Sequence, residues 1–94
     1  MIMISLTQKT ASELGDQIAK RLVKIRKRRK LSQKALAEKA GVSYGSLKRF
    51  EQSGRIALES LVRIAIALEV ERELDHLFED VPPQSIEDVL NGQN

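Results

Sequence analysis

The side chains best suited to recognise a ligand lie close together, from Ser43 to Gln52. At about 100° per residue, a helix over this stretch turns Leu47 and Phe50 to one side and the polar residues to the other. The outward positions are Gly45, Lys48, Arg49 and Gln52, flanked by Tyr44 and Ser46. Hydrogen-bond donors and cations around one small residue are what a helix needs to read base edges in a DNA groove.

Two short helix patterns must position these side chains. Ser32 can cap a helix predicted over 33–39, Gly41 can end it in the left-handed conformation, and Ser43 can cap the next helix, predicted over 44–52. So short a connection forces the two helices to cross steeply. The apolar residues that can face their common seam are Leu36, Ala37, Ala40, Val42, Leu47 and Phe50. The pattern is typical of a helix-turn-helix unit.

At these residues the chain resembles the lambda-repressor and Cro-like helix-turn-helix regulators, the XRE family. The match covers roughly residues 14–78 and is densest in Leu31-Ser32-Gln33, Leu36-Ala37, Ala40-Gly41-Val42-Ser43 and Phe50-Glu51. The resemblance implies an all-α, compact five-helix, lambda-repressor-like DNA-binding domain with a short N-terminal arm and an acidic C-terminal tail. It also implies a dimeric repressor that binds a palindromic operator in double-stranded DNA through a recognition helix over 43–52, without a cofactor.

The resemblance also assigns roles to individual residues. Gln33 stands at the family's phosphate-and-base anchor, and Arg49 at a base-reading position where guanine is preferred. With Lys34 and Ser43 added at the helix starts, the predicted DNA-binding set is Gln33, Lys34, Ser43, Tyr44, Gly45, Ser46, Lys48 and Arg49. For Tyr44 the alternative is that the ring packs over the turn with its hydroxyl exposed. Arg26 and Glu51 are implied to form a structural ion pair between the first helix and the recognition helix.

Three positions depart from the family pattern. Lys30 and Glu69 stand where glycines usually end helices, so both ends must close without the residue that most easily becomes left-handed. Ser53 moves the closing glycine, Gly54, one position later than usual. That shift makes Arg55 a doubtful phosphate contact.

The flanking helices follow from local patterns. Thr10 and Glu13 form a capping box for a first helix that runs to about Arg29. Further helices are predicted over about 58–68 and 71–78. We divide the chain into an arm (1–9), a DNA-binding domain (10–79) and an acidic, proline-containing tail (80–94). Residues 2–6 alternate weakly, as a strand would, and residues 85–90 hold a second capping-box pattern.

The fourth helix carries apolar residues over more than one face, and this excess predicts a homodimer. The expected interface residues are Ile64, Ile66, Val70, Leu74, Leu77 and Phe78. The alternative is a thick monomeric core.

Charge divides the chain, whose net charge is +3. Residues 1–68 carry 15 Lys or Arg and 5 Asp or Glu. Residues 69–94 carry 1 Arg and 8 Asp or Glu. The acidic tail is either a frayed terminus or a docking segment for another protein. Because small XRE-type proteins with such tails resemble antitoxins encoded beside HipA-like kinase toxins, the competing function is a toxin-binding antitoxin that autoregulates its operon.

Other chemistries lack the residues they need. The chain has no cysteine and a single histidine, His76, so we expect no metal site. Its carboxylate pairs are adjacent in the tail, and its glycines form no phosphate-binding loop, so we expect no enzyme. With few aromatic anchors and no long apolar run, membrane attachment is a poor alternative. We expect a cytoplasmic protein.

Overall fold

The computed structural model describes residues 8–85 and 90–92, and these fold as five helices without a strand among them. The helices are α1 (Ala11–Arg28), α2 (Gln33–Ala40), α3 (Tyr44–Ser53), α4 (Leu58–Ala67) and α5 (Arg72–Asp75). The all-α prediction is confirmed. The possible strand over 2–6 and most of the capping-box pattern over 85–90 lie outside the described residues. None of the helices in the described ranges is long and apolar enough to span a membrane.

The predicted caps fix where the first three helices begin. The Glu13 amide donates to Thr10 Oγ1 at 3.1 Å, and the Thr10 amide donates to Glu13 Oε1 at 3.2 Å, which completes the capping box. Ser32 accepts from the Ala35 amide at 3.0 Å, and the Ser43 hydroxyl caps α3. Each such cap contributes about 1 kcal/mol. The local sequence therefore sets these boundaries without help from tertiary contacts.

The core forms where α1 packs on α3 and where α2 packs on both α3 and α4. Its largest fully buried side chains are Phe50, Leu36, Leu47, Ile64 and Leu68. The prediction that Ile64 belongs to a dimer interface is wrong, because Ile64 is 0% exposed within a single chain. The face of α4 that carries Ile64 serves the monomer's own core, whereas Ile66 is 55% exposed.

The fifth helix is shorter than the predicted 71–78. It ends at Asp75, and isolated turn bonds follow, from the Leu77 amide to Leu74 and from the Glu79 amide to His76. None of the residues of α5 is buried. A short helix is marginal unless packing stabilises it, so this segment has little reason to continue as a helix.

Helices α1, α2 and α4 end with the same hydrogen-bond pattern. At α2, Gly41 has φ 70°, its amide bonds to Glu38, and the next amide, that of Val42, bonds to Ala37. The left-handed residue at the end of α1 is Lys30 (φ 57°), and at the end of α4 it is Glu69 (φ 62°). All three are Schellman motifs, but only one has the glycine that suits the conformation. Lys30 and Glu69 in place of glycine therefore leave the fold intact but reduce the free energy of unfolding.

Replacing Lys30 or Glu69 with glycine is expected to stabilise the protein by about 1 kcal/mol each, because the left-handed conformation disfavours a residue with a Cβ. The gain is reduced by the greater entropy of glycine in the unfolded chain. Urea unfolding, monitored by circular dichroism, measures both changes in the free energy of unfolding. Lys27→Gly, inside α1, is the control and should destabilise. A loss of stability in both Lys30→Gly and Glu69→Gly would contradict the explanation.

Candidate nucleic-acid interface

Helix α3 presents its predicted polar side to solvent. Leu47 and Phe50 are each 1% exposed and anchor the helix in the core. The side chains left exposed on α3 belong to Tyr44, Ser46, Lys48, Arg49 and Gln52. Gly45 lies among them, and a Cβ added there would meet nothing within 4 Å. The helix therefore offers donors and cations around an open gap where another molecule can approach its backbone.

Ser43 does more than cap α3. Its hydroxyl oxygen accepts from the Ser46 amide at 3.0 Å, and its proton is donated to Ser46 Oγ at 2.8 Å. Because Ser46 Oγ accepts this bond, its own hydroxyl proton remains available to donate elsewhere. At the first turn of α3, Ser46 can thus act as a donor, which suits acceptor atoms such as the N7 and O6 of guanine.

Tyr44 connects α2 and α3 through two cations. Its ring centroid lies 5.5 Å from Lys34 Nζ on α2 and 5.1 Å from Lys48 Nζ on α3. Both distances suit cation–π attraction. Tyr44 is 38% exposed, so part of the residue is open to another molecule. The aromatic face holds two positive charges beside the first turn of α3, and the start of α2 becomes part of the same cationic surface.

A network centred on Glu51 fixes α3 relative to α1 and α2. Arg26 Nε donates to Glu51 Oε2 at 2.8 Å and Arg26 Nη2 donates to Glu51 Oε1 at 3.0 Å. Gln33 Nε2 donates to the same Oε1 at 2.8 Å, and Arg26 Nη1 donates to the Leu31 carbonyl at 2.9 Å. The ion-paired side chains are only 11% and 8% exposed. The implied pair is therefore present, and it also orients Gln33 at the start of α2.

The C-terminal end of α3 brings Arg49 beside Arg55. The Ser53 hydroxyl donates to the Arg49 carbonyl at 2.6 Å and accepts from the Arg55 amide at 3.2 Å. Gly54 closes the helix with φ 74°. A polar groove of about 300 Å³ results, lined by Ser46, Arg49, Arg55, Ile56, Ala57 and Ser60. Sequence reasoning left Arg55 outside the site, although Ser53 four residues after Arg49 is a signal for this turn.

Two crossed helices, a buried anchor and an exposed polar face on the second helix define a DNA-binding protein of the helix-turn-helix class. A family model described as helix-turn-helix matches residues 22–74, more than half of the chain, and the chain belongs to this XRE-type family. No curated protein matches it. The protein is a DNA-binding transcriptional regulator.

Proposed function

We propose that the protein is a dimeric repressor that reads a palindromic operator with α3. The observation that carries this proposal is the exposed polar face of α3, held rigidly by buried Leu47 and Phe50 and by the network around Glu51. A reading helix must keep its side chains at fixed positions relative to the phosphates, since base contacts specify only when backbone contacts set the register. A regulator that occupies its operator in this way represses by covering the promoter.

The proposed contacts fall into two groups. Those that select bases come from the exposed face of α3: Tyr44, Gly45, Ser46, Lys48 and Arg49. Those that set register come from Gln33, Lys34 and the main-chain amides at the starts of α2 and α3, where Ser43 caps the latter. Gln33 suits its role because Glu51 already orders its amide. Affinity then depends strongly on salt, because phosphate contacts release counterions.

Arg49→Ala is expected to weaken binding to the cognate operator by about 1 to 3 kcal/mol and to relax the preference at one base pair, because arginine reads guanine with two hydrogen bonds. The operator is first obtained by selecting bound fragments from random DNA. Fluorescence anisotropy then compares the operator with operators altered at single positions. Equal losses on operator and random DNA would contradict the base-reading role.

Lys34→Ala is the matched comparison, since Lys34, like Arg49, is an exposed cation but lies on α2 beside Tyr44. It is expected to weaken all duplexes alike and to reduce the salt slope by about 1. Binding isotherms over a range of salt concentrations on operator and random duplexes measure both effects. A change in sequence preference would move Lys34 into the base-reading group.

The proposed dimer uses apolar side chains near the C-terminal end of the described domain. Because Ile64 is buried in the monomer, the proposed interface consists of Ile66, Val70, Leu74, Leu77 and Phe78. Ile66, Leu77 and Phe78 are at least half exposed, which leaves apolar area for a partner. Two copies related by a dyad would read half-sites about one helical turn apart. Footprinting of the selected operator tests this spacing.

The second candidate is an antitoxin that binds a HipA-like toxin and represses its own operon. Support comes from two exposed apolar side chains on either side of the boundary between domain and tail, Phe78 at 81% and Val81 at 65%, the latter directly before Pro82 and Pro83. Co-expression with the neighbouring reading frame tests the idea. Co-purification that is lost on truncation at Val81 supports the antitoxin, and retention after truncation contradicts a role for the tail.

A further inference from the structure

An apolar groove runs between α1, α4 and the start of α5 on a part of the molecule that contributes nothing to the DNA-reading face. It measures about 220 Å³. Most of its lining is apolar, from Ile18, Leu22, Ile25, Leu61, Ala65, Val70 and Leu74, and Arg21 and Glu73 complete the lining. Ile18 is 42% exposed there. We call this feature the helix groove. No side chain of the described chain fills it.

The α1 side of the helix groove is basic, whereas Glu73 on α5 adds a carboxylate to the lining. Arg21 lines it, and Lys24 and Arg28 follow at helical spacing along the same side of α1. Within the described residues, none of these three cations forms an ion pair with a carboxylate. A basic edge beside an apolar floor fits an occupant that carries apolar and acidic side chains together.

The chain itself carries such a segment directly after α5. Leu77, Phe78 and Val81 are 50%, 81% and 65% exposed, and Glu79 and Asp80 lie between them. We call these five residues the C-terminal ledge. Glu79 has a neighbour in His76, whose Nδ1 lies 2.8 Å from its carboxylate, and no Lys or Arg follows Arg72 in the sequence. The ledge therefore combines apolar surface with the negative charge that the cations along α1 can attract.

The ledge does not fill the groove of its own chain. Leu74 already borders that groove, and the chain turns immediately afterwards through the bond from the Leu77 amide to the Leu74 carbonyl. Phe78 then has φ 65°, a left-handed conformation that is rare for a bulky residue. None of the ledge residues lines the groove of its own chain, and Phe78 is left in solvent. Two complementary surfaces thus remain open on one chain.

We propose that the C-terminal ledge of one copy docks in the helix groove of a second copy, and that the second copy returns the same contact. This inference rests on the dimer of the proposed function and names its contacts. A reciprocal exchange satisfies both surfaces in a closed twofold pair, whereas a one-way contact would leave one groove and one ledge free to add further copies. Phe78 is the apolar anchor, and Arg21 faces the acidic residues of the partner's ledge.

Sedimentation velocity on the full chain over a range of concentrations tests the exchange. The wild type is expected at twice the 10.6 kDa of one chain. Phe78→Ser on the ledge and Ile18→Glu in the groove should each weaken self-association at least about tenfold, as loss of an interface anchor does. Leu58→Ser, at a 67% exposed position that does not line the groove, is the control and should leave the mass unchanged.

Mixing the two variants separates reciprocal exchange from other interfaces. A ledge variant keeps a working groove, and a groove variant keeps a working ledge, so their mixture should form a heterodimer through one intact contact. A monomeric wild type, an unchanged mass for Ile18→Glu or the absence of a heterodimer in the mixture would each overturn the proposal. Larger assemblies that grow with concentration would show one-way docking instead. Circular dichroism checks that every variant is folded.

The same samples also test DNA binding independently of self-association. Both variants retain the exposed face of α3, so anisotropy on a duplex at low salt should still detect binding by the monomers. Failure of the wild type to bind DNA would overturn the repressor proposal and leave the mass measurements valid. An unchanged mass combined with normal DNA binding would overturn only the exchange.

Discussion

Arg26→Met is expected to destabilise the protein by about 3 kcal/mol, because it leaves the Glu51 carboxylate buried without its cation. For a domain of this size the midpoint of thermal unfolding should fall by roughly 12 to 24 °C. The bond from Gln33 to Glu51 remains and limits the loss, whereas the bond from Arg26 to the Leu31 carbonyl disappears. Calorimetry measures the change. Base preference should stay the same, since Arg26 lies outside the reading face.

A double-mutant cycle isolates the ion pair from the packing of its members. Glu51→Leu should also destabilise, because Arg26 is then buried without an anion, whereas Arg26→Met combined with Glu51→Leu should recover much of the loss. Strictly additive losses would mean that the two charges do not depend on each other. A changed operator preference with unchanged stability would contradict the structural assignment.

Gly54→Ala is the second substitution with a large expected effect. A Cβ at Gly54 would overlap the carbonyl carbon of Gly15 and lie 2.5 Å from the Asp16 nitrogen and 2.7 Å from the Gly15 oxygen. These are backbone atoms of α1, which cannot turn aside as a flexible side chain can. Gly54 also has φ 74°, which a residue with a Cβ adopts at a cost. Together the two effects should cost about 2 to 5 kcal/mol.

Gly45→Ala is the matched control for that result. The new methyl group meets nothing within 4 Å, and alanine favours a helix, so the protein should gain about 0.5 to 1 kcal/mol. Chemical unfolding in urea compares the two variants. The affinity of Gly45→Ala for the operator should fall although the variant is more stable, because the methyl group fills the gap in the reading face. Equal stability of the two variants would contradict the close approach of α1 to α3.

Much of the candidate site follows from spacing alone. Because Leu47 and Phe50 are three residues apart on one helix, their burial places Gly45, Lys48, Arg49 and Gln52 in solvent, as predicted and as observed. The hydrogen bond from Gln33 to Glu51 and the cation–π contact between Lys34 and Tyr44 join different helices. Residue spacing does not predict them. They depend on the crossing of α2 and α3, which the local pattern only restricts.

The two incorrect predictions, Ile64 at the dimer interface and a fifth helix over 71–78, have the same origin. Ile64 looked available to a partner because α4 is apolar on more than one face, but which face is buried depends on where α2 lies. Helix α5 ended early because a helix pattern with nothing buried beneath it gains little from continuing. In both cases local residues predict an apolar face or a helix propensity, and the packing partner decides which residues are buried and how far the helix runs.

By itself, the amino-acid sequence determined the helix starts at Thr10, Ser32 and Ser43, the left-handed end at Gly41, and the side of α3 that faces solvent. These features depend on atoms within about four residues of one another, so local chemistry is sufficient. Only the tertiary structure decided that Gly54 lies against Gly15. That contact joins residues far apart in the chain, and its geometry exists only after α1 and α3 have packed together.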